Sequence, residues 1–143
     1  MQQNKNMSDS YQNELSNLIT NLNQVLRVDF HFAILMGSYA TNRFHPESDI
    51  DIAIYFIKEP TMDQLAKIQT DISMITSHDC ALISLNRVDP IFARQVIEAG
   101  RELIVKDRSV WNIWKAQQFS IYPDFKKTRQ IIEVNLLNRR KYA

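Results

Sequence analysis

Two short apolar runs enclose a polar segment in the first half of the chain, and this pattern most restricts the fold. Residues 30–36 and 50–56 are rich in Ile, Phe and Ala, which is typical of buried strands. Between them stand Gly37-Ser38, ten further residues and then Asp49-Ile50-Asp51. Because alternate side chains of a strand share one face, Asp49 and Asp51 should project together. The segment therefore predicts two strands, with paired carboxylates at the start of the second.

The size and composition of the chain indicate one domain with an ordinary core. It has 143 residues, of which 45% are hydrophobic, and its net charge of +1 gives no general argument for nucleic-acid binding. Its one cysteine, Cys80, excludes an intramolecular disulfide and fits a reducing compartment. No apolar run approaches the roughly 18 residues of a transmembrane helix, and the polar start lacks a signal-peptide core. We therefore expect a cytoplasmic protein without membrane or direct nucleic-acid binding.

Helical and extended patterns alternate along the rest of the chain. Thr61 and Gln64 match a capping box, and Asp89-Pro90 is a strong helix start. In chain order the pattern predicts a frayed start (1–9), a helix (10–26), the two strands, a helix from Thr61, a strand (79–85), a helix ending at Gly100, an edge strand (103–105) and a C-terminal helical segment (108–143). This order predicts a single α/β domain, with a small mixed sheet flanked by helices. The C-terminal segment could contact a partner.

The paired carboxylates suit a magnesium-bound nucleoside triphosphate. Mg²⁺ prefers hard oxygen ligands, and two carboxylates on one strand face supply part of its coordination shell. Gly37 permits close approach of the chain to a phosphate, and N–H groups at a helix start attract anions. A third carboxylate from a neighbouring strand usually completes a two-metal site, with the ions roughly 3.5–4 Å apart. An Asp-x-Asp pair alone is usually a solvated surface feature, so the Gly37-Ser38 turn carries the prediction.

Other polar residues near this segment are open to two interpretations each. Ser48 could hydrogen-bond within the loop or serve in a plain turn, and Arg43 could reach the triphosphate or remain solvated. Tyr39 could stack on a base or pack in the core. His78 is next to Asp79, but adjacent strand residues face opposite ways, which argues against a shared catalytic role.

The motif Gly-Ser-x10-Asp-x-Asp, followed by the Asp-Pro helix start and GRELIVKD, resembles the nucleotidyltransferase superfamily of DNA polymerase beta. The short length resembles its minimal nucleotidyltransferases, which are antitoxins paired with HEPN-domain toxins. The resemblance covers about residues 30–107. It implies transfer of AMP from ATP, with two Mg²⁺ ions, onto a tyrosine of the partner toxin, which silences the toxin. It also implies that Gly37 and Ser38 bind the triphosphate and that Asp49 and Asp51 bind metal.

One position departs from the family pattern. In such proteins the third carboxylate commonly lies five residues before a closing Asn, and counting back from Asn86 gives Ala81. Asp79 lies two residues earlier on the same face, about 6–7 Å away. It could take over as catalytic metal ligand, or it could simply begin the strand as an exposed residue. In the latter case the chain would be a weak or inactive domain that neutralises the toxin by binding alone. A third alternative, transfer to a small molecule or RNA, fits the short near-neutral chain less well.

Overall fold

The computed structural model of the chain describes residues 2–26, 29–41 and 48–119. The elements in order are α1 (Gln2–Val25), β1 (Phe30–Met36), a 3₁₀ turn (Gly37–Thr41), β2 (Ile50–Phe56), α2 (Met62–Thr76), β3 (Cys80–Ser84), α3 (Pro90–Ala99) and β4 (Arg101–Val105). Residues 108–119 are also helical. Helices and strands therefore alternate as the sequence predicted.

The four strands form one mixed sheet in the order β3-β2-β1-β4. β1 pairs antiparallel with both β2 and β4, whereas β2 and β3 are parallel. Asp51 of β2 is paired with Met36 at the end of β1 and with Ala81 near the start of β3. The last residues of β1 and the first residues of β2 and β3 therefore meet at one end of the sheet. This arrangement confirms the predicted mixed α/β class.

The sheet is buried on both faces, and β2 contributes to both cores. Its even-numbered residues pack with α1 and α2 on one face, and all of them are buried: Ile50, Ile52, Ile54 and Phe56. On the other face Ala53 packs with α3 and with Trp111 and Trp114 of the helix over 108–119. Burying a large apolar side chain contributes about 1.5–3 kcal/mol, so both layers stabilise the position of β2.

Local capping chemistry fixes the boundaries of α2 and α3. Thr61 Oγ1 accepts a hydrogen bond from the Gln64 backbone N–H at 3.2 Å, and Gln64 Oε1 accepts one from the Thr61 N–H at 2.9 Å. The Asp89 carboxylate accepts from the Ile91 N–H at 2.7 Å. A Cβ at Gly100 would clash with side chains of β1, so the chain after α3 runs directly against that strand. The predicted capping box and both α3 boundaries are confirmed.

Three predicted boundaries were wrong by a few residues. α1 begins at Gln2 rather than at residue 10, because residues 2–9 contain no Gly or Pro and the apolar stripe marks only the buried part of the helix. β3 begins at Cys80 rather than at Asp79, and β4 begins at Arg101 rather than at residue 103. β4 begins with exposed polar side chains, so the hydrophobic pattern of the sequence does not include its first residues. The part of the predicted C-terminal segment beyond residue 119 lies outside the described residues.

Candidate nucleotide-binding site

Gly37 brings the 3₁₀ turn directly against the carboxylate of Asp51. Its φ of +70° lies in the left-handed region that residues with side chains rarely adopt. A Cβ built on Gly37 would lie 2.7 Å from Oδ2 of Asp51, which is closer than real Cβ contacts allow. Both the backbone conformation and the space beside the carboxylate therefore require glycine at this position.

We expect Gly37→Ala to destabilise the protein and weaken nucleotide binding. A left-handed conformation costs an L-residue roughly 1–2 kcal/mol, and contact with Asp51 adds to this. Urea unfolding and titration with AMP-PNP would measure the two effects. In Gly37→Ala combined with Asp51→Ala the clash is removed while the backbone strain remains, so this variant should recover part of the stability. A single variant as stable as the wild type would contradict the close approach.

The surroundings of the Asp51 carboxylate disfavour its negative charge in the free protein. Asp51 is half-buried and Asp49 is exposed. Burial raises the pKa of the Asp51 carboxyl, and the nearby charge of Asp49 raises this pKa further. A divalent cation between two such oxygens would relieve both effects. The chemistry of this donor pair therefore fits one hard cation such as Mg²⁺.

A stability effect with a defined pH dependence follows from the raised pKa of Asp51. A raised folded-state pKa means that the folded protein binds this proton more tightly than the unfolded chain does. The contribution to stability is then complete below the unfolded-state pKa and is lost as the pH rises through the folded-state pKa. We expect Asp51→Asn to give a small increase in melting temperature at pH 7 with EDTA present, and none at pH 3. A decrease at pH 7 under these conditions would contradict the assignment.

Ala81, the position that the family resemblance indicated for a third carboxylate, lies beside Asp51. The two residues are paired in the parallel β2–β3 register, and Ala81 is exposed. Two residues before Ala81, the Asp79 carbonyl accepts a hydrogen bond from the Ile50 N–H at 2.8 Å, which aligns Asp79 with Asp49. Within the described ranges, no three His, Cys, Asp or Glu side chains form a group that could hold a metal ion. The assignment of Asp79 as a third metal ligand therefore stays a prediction.

The structure locates two of the three remaining predicted site residues. Ser38 is half-buried in the 3₁₀ turn, and its carbonyl accepts a hydrogen bond from Thr41 Oγ1 at 3.2 Å, which closes the turn. Ser48 is buried, with 8% of its surface exposed, immediately before Asp49. Arg43 lies outside the described residues. Gly37, Ser38, Ser48 and the carboxylates thus stand near one end of the sheet.

A set of contacts behind the 3₁₀ turn was missed by sequence reasoning. Tyr39 is buried with 2% of its surface exposed, and the Tyr11 hydroxyl of α1 donates a hydrogen bond to its backbone carbonyl. The Tyr39 hydroxyl lies 3.3 Å from Nε2 of His78, within hydrogen-bond distance. Tyr39 therefore packs in the core, which was one of the two interpretations of this residue from the sequence. Tyr11 lies four residues before Leu15 and seven residues before Leu18. Its place on the apolar stripe of the predicted helix was therefore the sequence signal that it is buried.

Cys80 is a core residue and takes no part in the chemistry of the site. It is buried on the α1–α2 face of the sheet. Burial raises the pKa of its thiol to about 12, with a smaller contribution from the charge of Asp51. The thiol therefore stays protonated at neutral pH, in which form it is neither a good nucleophile nor a metal ligand.

The chain belongs to the polymerase beta nucleotidyltransferase family. The family model, described as "Polymerase beta, Nucleotidyltransferase", matches residues 13–109. This range contains the 3₁₀ turn, the paired carboxylates and all four strands. The family and fold that the sequence resemblance indicated are therefore confirmed. No curated protein matches the sequence.

Solved structures of toxin–antitoxin systems share this fold. A chain of a toxin–antitoxin structure with AMP-PNP is 20% identical, with a TM-score of 0.73 over 83% of this chain and 98% of the other. A chain from a complex of tri-AMPylated Shewanella oneidensis HEPN toxin with MNT antitoxin is 19% identical, with a TM-score of 0.69 over 89% and 98%. A chain of MntA–HepT is 18% identical, with a TM-score of 0.68 over 88% and 98%.

Within the part of the chain that the structure describes, none of the helices is both long enough and apolar enough to cross a bilayer.

Proposed function

We propose that this protein is a minimal nucleotidyltransferase antitoxin that transfers AMP from Mg-ATP to a hydroxyl of a HEPN-domain toxin. The observation that carries the proposal is the approach of the Gly37 backbone to the Asp51 carboxylate, because it would bring a phosphate-binding turn next to carboxylates that bind a cation. Structures with the same fold include one with AMP-PNP and one with a tri-AMPylated HEPN toxin, which supports the choice of nucleotide and acceptor. We place this reaction in the cytoplasm, where ATP is available and a free thiol is ordinary.

In this proposal each end of the motif has a separate task. The backbone N–H groups of the 3₁₀ turn and the Ser38 hydroxyl would contact the triphosphate, with Ser48 and Arg43 contributing from the loop side. Asp49 and Asp51 would hold Mg²⁺, and Asp79 would supply a third carboxylate ligand if a second ion binds. When bound, Mg²⁺ would neutralise part of the negative charge of the triphosphate.

The reaction is an in-line substitution at the α-phosphorus. The acceptor oxygen, that of a tyrosine in this proposal, forms the new bond to the α-phosphorus. The bond from this phosphorus to the α–β bridging oxygen breaks, pyrophosphate leaves with its electron pair, and the hydroxyl proton is released. The chain contributes mainly by holding the triphosphate and the acceptor in line, which is where most of the rate gain in such reactions arises.

Labelled ATP tests the reaction class directly. The chain and its HEPN partner are incubated with Mg²⁺ and ATP carrying the label either at the α- or at the γ-phosphorus. Nucleotidyl transfer predicts label on the partner from α-labelled ATP only. Label from γ-labelled ATP alone would identify phosphoryl transfer and would overturn the proposal.

A second candidate function, neutralisation by binding alone, is favoured by Ala81. The side chain beside Asp51 in the β2–β3 register carries no carboxylate, and no group of three acidic, His or Cys side chains among the described residues could hold a cation. The combined variant Asp49→Ala and Asp51→Ala separates the two functions in a growth assay with the toxin co-expressed. Continued neutralisation would favour the binding module, whereas loss of neutralisation with retained complex formation would favour the enzyme.

A further inference from the structure

We infer that Tyr39 is a positioning residue, which holds the 3₁₀ turn in the conformation that presents Gly37 and Ser38 to the nucleotide. The inference rests on the proposed function. Tyr39 is the one buried residue of this turn, so its side chain attaches the turn to the body of the domain. Its role is distinct from that of Gly37 and Ser38, because its ring faces the α1–α2 core and not the carboxylates.

Two separate elements attach to Tyr39 from the back of the site. Tyr11 of α1 donates its hydroxyl hydrogen to the Tyr39 carbonyl. The Tyr39 hydroxyl is 3.3 Å from His78 Nε2, and the two rings meet edge to face with centroids 5.8 Å apart. The guanidinium group of Arg101 in β4 packs over the Tyr11 ring, with its central carbon 5.0 Å from the ring centre. The backbone and the side chain of Tyr39 are therefore each held by a different part of the fold.

The Tyr39 phenol remains uncharged near neutral pH. Burial raises the pKa of the phenol, and the nearby Glu14 carboxylate raises this pKa further. The phenol is therefore neutral and retains its proton for a hydrogen bond with His78.

The His78 contact also connects the turn with the strands that carry the carboxylates. His78 immediately precedes Asp79, whose carbonyl accepts the Ile50 N–H between Asp49 and Asp51. Tyr39 thus connects, through the core, the 3₁₀ turn that would bind phosphate with the strand ends that carry the carboxylates. Removal of the hydroxyl should loosen this connection without touching the nucleotide itself.

The test is the affinity for AMP-PNP with Mg²⁺, measured by calorimetry at 25 °C on the full chain. Loss of one partly buried hydrogen bond predicts binding about two- to tenfold weaker in Tyr39→Phe and in His78→Ala. The combined variant should be no weaker than either single one, because both remove the same contact. His78→Gln, which restores a hydrogen-bonding side chain, should recover part of the affinity. In transfer assays the loss should be in KM for ATP, with kcat less affected.

Tyr55→Phe is the matched control, because Tyr55 is a half-buried tyrosine on the opposite face of the sheet, packed against Phe32 and Trp114. It should bind AMP-PNP as the wild type does. Wild-type affinity in both Tyr39→Phe and His78→Ala would overturn the positioning role while leaving the proposed function intact. A wild-type chain that fails to bind AMP-PNP would overturn the proposed function, and the inference with it.

Discussion

Replacement of Asp49 with alanine is expected to lower AMP transfer by at least about a hundredfold while leaving the fold intact. A metal ion contributes several kcal/mol of charge stabilisation in such transfers, and each 1.36 kcal/mol corresponds to about tenfold in rate. Asp49 is exposed and precedes β2, so its removal should change the free energy of unfolding by no more than about 0.5 kcal/mol. Initial rates with the HEPN partner and urea unfolding measure the two quantities.

Asp29→Ala is the matched control for this variant. Asp29 is also an exposed aspartate that directly precedes a strand, but it lies at the start of β1, at the opposite end of the sheet from the 3₁₀ turn. Its replacement should leave the transfer rate unchanged. A full transfer rate in Asp49→Ala would contradict the metal assignment, since no other role for this carboxylate follows from the structure.

Ala81→Asp is expected to increase AMP transfer about tenfold or more. The substitution places a carboxylate beside Asp51 on the neighbouring strand, at an inter-strand spacing of about 4.7–4.9 Å, and Ala81 is exposed, so the larger side chain has room. A third acidic ligand would strengthen binding of the metal and permit a second ion. The same carboxylate should lower the melting temperature of the metal-free protein by charge repulsion, and added Mg²⁺ should restore it.

Two further variants make this prediction specific. Ala81→Asn has nearly the same shape as Ala81→Asp without its charge and should give no gain. If Ala81→Asp gives no gain because Asp79 already acts as the third ligand, Asp79→Ala should reduce transfer strongly. A chain that responds to neither Ala81→Asp nor Asp79→Ala would contradict the need for a third carboxylate.

The parts of the fold that were predictable have strong local signals. β1 and β2 were predicted to the residue, because Gly37 ends one buried run and the alternation of Ile with polar residues marks the other. The start of α2 was predictable from the Thr61 and Gln64 capping chemistry. Ile75 continues the helical spacing of the buried Ile68 and Ile72 but is 44% exposed, because helical periodicity does not show where the neighbouring helix stops covering the face.

The contacts that join distant parts of the chain were not predictable from the sequence. Tyr11 and Tyr39 are separated by 28 positions, and Tyr39 and His78 by 39, so no local periodicity connects them. The candidate site residues Gly37, Asp49 and Asp51 could be proposed from the sequence because they lie within one short motif. Their close approach, and the pairing of Asp51 with Ala81, depend on strand register, which only the folded sheet defines.

Intact-mass spectrometry of the HEPN partner tests the central claim most directly. The partner is incubated with this chain, ATP and Mg²⁺, and in parallel with the Asp49→Ala variant. We predict a mass increase in whole AMP units with the wild-type chain and no increase with the variant. An unchanged partner mass in a stable complex with the wild-type chain would contradict nucleotidyl transfer to the toxin.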